Sequence, residues 1–220
     1  TYFLNMFHKF GNIDDVIKQD LATHGLSLFD YFDIKYVTLH KELTGQSKVS
    51  QIKQLMSEIL NENMPIYEDD KIVVYKIPKP NSSEPFLLLG SGWHNFKKCV
   101  GEIEKIYECN ARATTKNSEI LIVNPRDSDM GITLNLVLSS AEKKKTMMIS
   151  VNNEKLNAMD IPTVLTDVQI KNLVLKPGIN VVTLDTNQFS IVYYGLTGTE
   201  IDDRIEIPLS FHVKSISIIN

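Results

Sequence analysis

About nine short apolar segments, separated by turn-forming residues, fill the larger C-terminal part of the sequence. In one of them apolar residues occupy every second position, at Ile132, Leu134, Leu136 and Leu138. Such alternation turns one face of a strand towards a core and the other towards water. Asn-Pro, Asn-Asn and Pro-Gly pairs in the gaps are typical of turns. The pattern predicts an antiparallel β-sandwich of the jelly-roll type over residues 85–220.

The segment LKPGINVVTL shows how these turns are encoded. Pro177 and Gly178 have the backbone preferences of a tight turn. The amide of Asn180 is placed to bond to its own backbone, and the apolar residues after it predict the next strand. Turns of this kind indicate a fold and carry no information about a ligand.

The first part of the sequence alternates helix-like and strand-like segments. A helix is predicted over residues 13–21 with Asn12 as N-cap, and a second one over KVSQIKQLMSEILNE with Ser47 as N-cap. DIKYVTLHK is strand-like, and MPIYEDDKIVVYKIP predicts a hairpin. These elements predict a small α/β unit over residues 1–78. The proline- and serine-containing segment over 79–84 is the predicted linker, so the fold class is α+β.

Charge and hydropathy exclude several kinds of partner. The 220 residues include 23 Lys plus Arg against 27 Asp plus Glu, a formal net charge of -4. This balance excludes nucleic acid as a partner bound through phosphate neutralisation. The basic trio Lys143 to Lys145 is predicted to be a solvated hairpin turn. No apolar run reaches the roughly 18 residues of a membrane span, and the start of the sequence shows neither the basic nor the apolar region of a signal peptide. We therefore expect a soluble piece of a longer protein.

The two cysteines leave two alternatives open. If the segment between Cys99 and Cys109 is a hairpin that turns near Ile103, the two thiols face each other and a disulfide can form. Two free, half-buried thiols are the other alternative, because two cysteines do not reveal a redox compartment. Their spacing does not match a zinc site.

Motifs for catalysis and cofactor binding are missing from the sequence. The five histidines lie too far apart for a helix-borne metal pair, and no nucleophile elbow, P-loop or dinucleotide fingerprint is present. We expect no metal, no cofactor and no catalytic residue. Asp70 with Asp202 and Asp203 would suit a two-carboxylate glycosidase only if they shared one cleft. Asp203 and Arg204 are predicted to form a structural ion pair.

A candidate ligand site lies in the segment GSGWHNF. Trp93, the single tryptophan, is followed by His94 and Asn95. Packing in the core is the usual role of a lone tryptophan, whereas an exposed aromatic ring with polar neighbours can stack on a sugar. The tripeptide Asn81-Ser82-Ser83 matches the acceptor pattern for Asn-linked glycans, which matters only for a chain outside the cell.

Several of these segments together resemble a known family. DIKYVTLHK, PIYEDDKIVVYKIP, GSGWHNF, LKPGINVVTL and DDRIEIPLSFHVKSISI resemble landmarks in the C-terminal part of polytopic membrane glycosyltransferases of the dolichyl-phosphate-mannose protein mannosyltransferase type, notably archaeal and bacterial ones. One segment departs from that pattern: KKCVGEIEKIYECNARA stands where related proteins have a Trp with an acidic residue or an Arg-Trp pair.

The resemblance implies a location and a set of partners. In this family the catalytic acidic residues belong to the membrane portion, so the resemblance implies that this chain is a non-catalytic region on the extracytoplasmic face of the cell membrane. Its implied partners are the membrane-embedded portion of the same chain and a glycan or acceptor polypeptide. A non-enzymatic cell-surface module for protein contacts is the alternative function.

Overall fold

A computed structural model describes residues 16–17, 21–61, 64–81, 83–94, 111–140, 143–188, 190–194 and 205–219. Contacts between residues divide them into two compact units, with the main division between Phe86 and Leu87. The first unit contains residues 21–86 and 125–127, and the second contains the other described residues. The predicted boundaries at residues 79–84 stay a prediction.

The first unit combines helices with a small antiparallel sheet. Its elements are α1 (Leu21–Tyr31), β1 (Tyr36–His40), α2 (Lys41–Thr44), α3 (Gln46–Ile59), β2 (Tyr67–Glu68) and β3 (Ile72–Lys76). The strand order is β1-β3-β2, so the predicted hairpin of β2 and β3 is confirmed. Alternation along β3 buries Val73 and Tyr75, and the helices contribute Phe29, Met56 and Ile59 to the buried apolar residues.

Two predictions about helices were wrong. Helix α3 begins at Gln46 after Gly45, which has no capping side chain, so Ser47 lies inside the helix and is not its N-cap. Residues 16–17 are not helical: Ile17 forms a parallel bridge with Ile216, and the Ile216 N–H donates to the Val16 carbonyl at 2.8 Å. A free strand edge offers these backbone groups partners that local helical spacing does not reveal. Asn12 and most of that predicted helix lie outside the described residues.

The second unit consists almost entirely of strands. They are β4 (Phe86–Leu89), β5 (Arg112–Ala113), β6 (Asn117–Asn124), β7 (Met130–Ser140), β8 (Lys145–Val151), β9 (Glu154–Lys155), β10 (Met159–Ile161), β11 (Thr166–Leu175), β12 (Gly178–Asp185), β13 (Ser190–Tyr194), β14 (Ile205–Leu209) and β15 (Phe211–Ile219). One sheet has the order β10-β8-β12-β6-β4 with β9 beside β8, a second has the order β11-β7-β15-β5, and β13 pairs with β14. Strand β8 runs antiparallel to β9, β10 and β12, β12 to β6, β7 to β11 and β15, β15 to β5, and β13 to β14.

The two larger sheets share one hydrophobic core. Their inward side chains form a single buried cluster that includes Ile120, Ile122, Leu134, Leu136, Leu138, Met147, Ile149, Val168, Ile170, Val182, Leu184 and Ile216. Alternation along each strand supplies these residues, as the sequence predicted. The antiparallel sandwich is therefore confirmed, whereas its jelly-roll type and the α/β character of the first unit stay predictions.

Lys145 departs from the predicted solvated turn. Lys143 and Lys144 are exposed, but Lys145 is 1% exposed. It occupies an inward position of β8, in alternation with Met147. Its Nζ donates to the carbonyls of Leu209 at 3.0 Å and Ser210 at 3.2 Å. These acceptors satisfy the buried ammonium, which explains why the charge is tolerated there.

Candidate functional site

The segment around Trp93 is held tightly by the backbone of β6. The indole N–H of Trp93 donates to the Glu119 carbonyl at 2.7 Å, and the ring is partly buried against the sandwich core. Gly92 has a φ of 81°, and a Cβ there would overlap the Asn117 carbonyl oxygen. The glycines of this segment therefore permit a close approach of two backbones. Trp93 is therefore packed against the core, as is usual for a lone tryptophan.

His94 continues this segment towards β5. Its N–H donates to the Ala113 carbonyl at 2.9 Å, and its own carbonyl accepts a hydrogen bond from the buried Arg112 at 2.9 Å. Trp93 and His94 are thus neighbours at the edge of the sandwich, and a ligand-binding role for them stays a prediction. Asn95 lies outside the described residues.

Four further predicted residues also fall outside the described ranges. They are the cysteines and the ion-pair residues, Cys99, Cys109, Asp203 and Arg204. The disulfide and the ion pair therefore stay predictions. The same holds for the two-carboxylate alternative, because Asp202 is not described either. Asp70 lies exposed on the turn between β2 and β3.

Polar side chains in the turns are occupied by internal hydrogen bonds. Asn180 donates to the carbonyls of Lys176 at 2.8 Å and Gly178 at 3.1 Å, and its Oδ1 accepts from the Lys176 N–H at 2.9 Å. Asn152 donates to the same Oδ1 at 2.9 Å. The predicted turn is confirmed, with Gly178 at a φ of 87°. These side chains stabilise the loops and are not available to a ligand.

Polar side chains on the outer face of the four-stranded sheet differ in this respect. We call this surface the neutral sheet face and define it by Thr133, Asn135, Gln169, Ser215 and Ser217. Asn135 on β7 is directly opposite Gln169 on β11 and Ser217 on β15. Their chain neighbours point into the core, so these three side chains point outwards.

None of these five side chains forms a hydrogen bond with the rest of the protein as far as the described ranges show. The Oδ1 atom of Asn135 is shielded from solvent and has no donor near it. Buried polar atoms usually have a partner, so an unbonded acceptor in the middle of a sheet face marks a place where a donor is missing. Asn135 is therefore the centre of the candidate site.

Apolar atoms complete the neutral sheet face. Val137 lies opposite Asp167 and Ser215, and Ile219 lies opposite Thr133. Gly131, two residues before Thr133, has open space where a side chain would stand. In the row formed by Asp167, Val137 and Ser215, Asp167 on β11 is the charged residue. The face thus offers amides, hydroxyls and aliphatic carbons, and its central row carries no charge.

The outer face of the six-stranded sheet has a different chemistry. Thr183 lies opposite Ser150 and Glu119, and Asp185 follows on the same side of β12. The Glu119 carboxylate accepts the Ser91 N–H at 3.2 Å. Near one edge, Lys144 and Thr146 bond to Asp160, at 2.7 and 2.8 Å, and lower the pKa of that carboxyl group. This face is acidic and partly bonded internally.

Two features are absent from the described part of the chain. No group of three His, Cys, Asp or Glu side chains there is placed to hold a metal ion. No helix in the described ranges is both long enough and apolar enough to cross a membrane.

No family model matches the sequence, and no curated protein does. Weak structural similarity exists to proteins with carbohydrate-binding modules. A mannanase of Podospora anserina with a family 35 carbohydrate-binding module is 12% identical, with a TM-score of 0.35, 62% of this chain covered and 28% of the mannanase. The family 35 module of Abf62 from Cellvibrio japonicus is 13% identical, with a TM-score of 0.32 and 62% and 99% covered.

A further family 35 module, solved in complex with a disaccharide containing glucuronic acid, is 15% identical with a TM-score of 0.34. The match covers 61% of this chain and 92% of that one. Because all three TM-scores are below 0.5, the function proposed for this chain rests on its own residues.

Proposed function

We propose that this chain is a non-catalytic module that binds a neutral glycan on the neutral sheet face. The observation that carries the proposal is the row Gln169, Asn135 and Ser217, which lies across three adjacent strands and whose side chains form no hydrogen bonds within the described ranges. Amides and hydroxyls both donate and accept, as sugar hydroxyls do. A row of such groups therefore matches a polyhydroxylated ligand.

The surroundings of this row suit an uncharged sugar. Val137 and Ile219 offer aliphatic surface to the C–H groups of a pyranose ring, and the central row has no charge that would require a counter-ion. Each hydrogen bond contributes a net of about 0.5–1.5 kcal/mol. Because each bond contributes little, we expect modest affinity that grows with the number of sugar residues in contact.

Titration calorimetry of the 220-residue chain with a panel of neutral oligosaccharides tests the proposal. The variant Asn135→Ala/Gln169→Ala removes two of the three central groups and should abolish binding. Ser150→Ala/Thr183→Ala is the matched control on the acidic face and should bind as the unmodified chain does. Absence of binding to every saccharide, or equal loss in both variants, would overturn this assignment.

The cellular context is a separate part of the proposal. We infer that the chain is the extracytoplasmic C-terminal region of a membrane glycosyltransferase-like protein, where it would hold glycan or acceptor polypeptide near the membrane-embedded portion of the same chain. The resemblance of the sequence landmarks supports this inference. Sequencing the gene around the fragment tests it: several apolar spans before residue 1 are expected, and a gene without them would contradict it.

One observation favours the alternative of a protein-contact module. The face of the three-stranded sheet away from the buried residues exposes Tyr36 (56%) and Tyr67 (51%), and the adjoining Ile66 is 59% exposed. Exposed apolar groups that cluster on one face are typical of interaction surfaces. Tyr36→Ser/Tyr67→Ser should then abolish capture of a partner protein in cross-linking and leave saccharide binding unchanged.

A further inference from the structure

We propose that Asn81 is an acceptor for an Asn-linked glycan, an inference that rests on the extracytoplasmic location within the proposed function. Asn81 is the one asparagine in the printed sequence that is followed by a non-proline residue and then by Ser or Thr. The acceptor pattern requires a hydroxyl at the second following position, which Ser83 supplies.

The structure makes the amide of Asn81 accessible. Its side chain is exposed, and it has no hydrogen bond with the described part of the chain. In contrast, Asn124, Asn152 and Asn180 use their amides to hold turns together. Of these four, Asn81 alone combines the acceptor pattern with a free amide.

The backbone around Asn81 can enter a transferase site at low cost. It lies between β3 and β4, outside any helix or strand, and Pro78, Pro80 and Pro85 prevent regular pairing. Ser83, two residues after it, is anchored: its carbonyl accepts the Arg126 Nε–H at 3.1 Å. A segment with few backbone bonds opens locally without unfolding its unit.

The reaction needs a co-reactant of known class. The co-reactant is a lipid-phosphate-linked sugar. During glycosylation the Asn81 Nδ2 replaces the phosphate oxygen at the anomeric carbon of that sugar. A nitrogen–carbon bond forms, the carbon–oxygen bond breaks with its electron pair passing to the departing lipid phosphate, and the amide releases one proton. A separate membrane transferase would supply the active site, since this chain contributes only the acceptor.

Mass spectrometry of the full chain, exported by a eukaryotic host that glycosylates asparagine, tests the proposal. A C-terminal tag with its own acceptor asparagine is the positive control: a glycan on the tag shows that the exported chain meets the transferase. The unmodified sequence should carry one glycan more than the tag alone, and Asn81→Gln and Ser83→Ala should remove it. Ser83→Thr should retain it, because the hydroxyl is kept.

Two results would overturn the inference: a glycan on the tag alone, or a second glycan that persists in Asn81→Gln. Saccharide binding is measured on unglycosylated protein from a bacterial host. The two proposals therefore fail independently, since loss of one signal leaves the other unaffected.

Discussion

The indole N–H of Trp93 donates to the backbone carbonyl of Glu119 across 2.7 Å. This bond joins the segment after β4 to the neighbouring strand β6. It also fixes the only tryptophan of the chain against the sandwich core. The sequence predicted either core packing or sugar stacking for this ring. A variant that lacks the bond distinguishes these two roles by experiment.

Trp93→Phe keeps an aromatic ring but removes the N–H and part of the indole that packs against the core. We expect the free energy of unfolding to fall by at least about 1 kcal/mol, the usual net contribution of one hydrogen bond, with a further loss from the removed apolar contacts. Urea denaturation followed by circular dichroism measures this. Binding of a neutral saccharide should remain, because the proposed site lies on the neutral sheet face. A variant that keeps its stability but no longer binds would instead place the sugar at Trp93.

Gly92→Ala should be among the most damaging single-methyl changes in the sandwich. The new Cβ meets the Asn117 carbonyl oxygen, and the φ of 81° is strained for a side chain. We expect a loss of more than about 2 kcal/mol in the free energy of unfolding. Gly131→Ala is the matched control, because open space surrounds that position and alanine suits a strand better than glycine. Similar stabilities of the two variants would contradict this account of GSGW.

Lys145→Ala should destabilise far more than Lys144→Ala. The first change removes a buried side chain and leaves two carbonyls without their donor, for which we expect about 2–4 kcal/mol. The second removes an exposed ion pair with Asp160, and such pairs contribute little. Chemical denaturation of the two variants side by side gives the comparison, and equal losses would show that Lys145 is not needed as a donor.

The β2–β3 turn should make the first unit sensitive to acid. Hydrogen bonds from Lys41 and Lys53 lower the pKa of Glu68, and the Ile72 N–H followed by the Tyr67 hydroxyl lowers that of Asp69. A lowered carboxyl pKa stabilises the fold above the pKa of the unfolded chain, about 4 for these residues. This contribution is lost as the pH falls through the lower folded values.

Thermal melting between pH 6 and pH 2 checks this prediction. The melting temperature of the unmodified chain should fall over the acid end of that range, and Glu68→Gln/Asp69→Asn should reduce the dependence. Glu42→Gln is the control, because Glu42 is exposed and makes none of these bonds. An unchanged pH dependence in the double variant would exclude this turn as the cause.

The strands of the sandwich could be predicted because their signal is local. Leu134, Leu136 and Leu138 recur at every second residue, and each contacts the core because side chains of a strand alternate between its faces. The turn at Gly178 and Asn180 is also largely local, since three of the hydrogen bonds of the Asn180 amide are to residues within four positions of it. Local conformational preference was sufficient for both.

The sequence by itself therefore determined the antiparallel strands, their inward residues and the chemistry of the turns. Only the tertiary structure decided that Lys145 is buried, because its acceptors at Leu209 and Ser210 are more than sixty positions away. The same holds for residues 16–17, which pair with Ile216 instead of forming the predicted helix. The candidate site also depends on register, since Asn135, Gln169 and Ser217 become neighbours only when three strands from distant parts of the chain pair. Periodicity specifies which face a side chain occupies, whereas hydrogen bonding between strands selects the residues beside it.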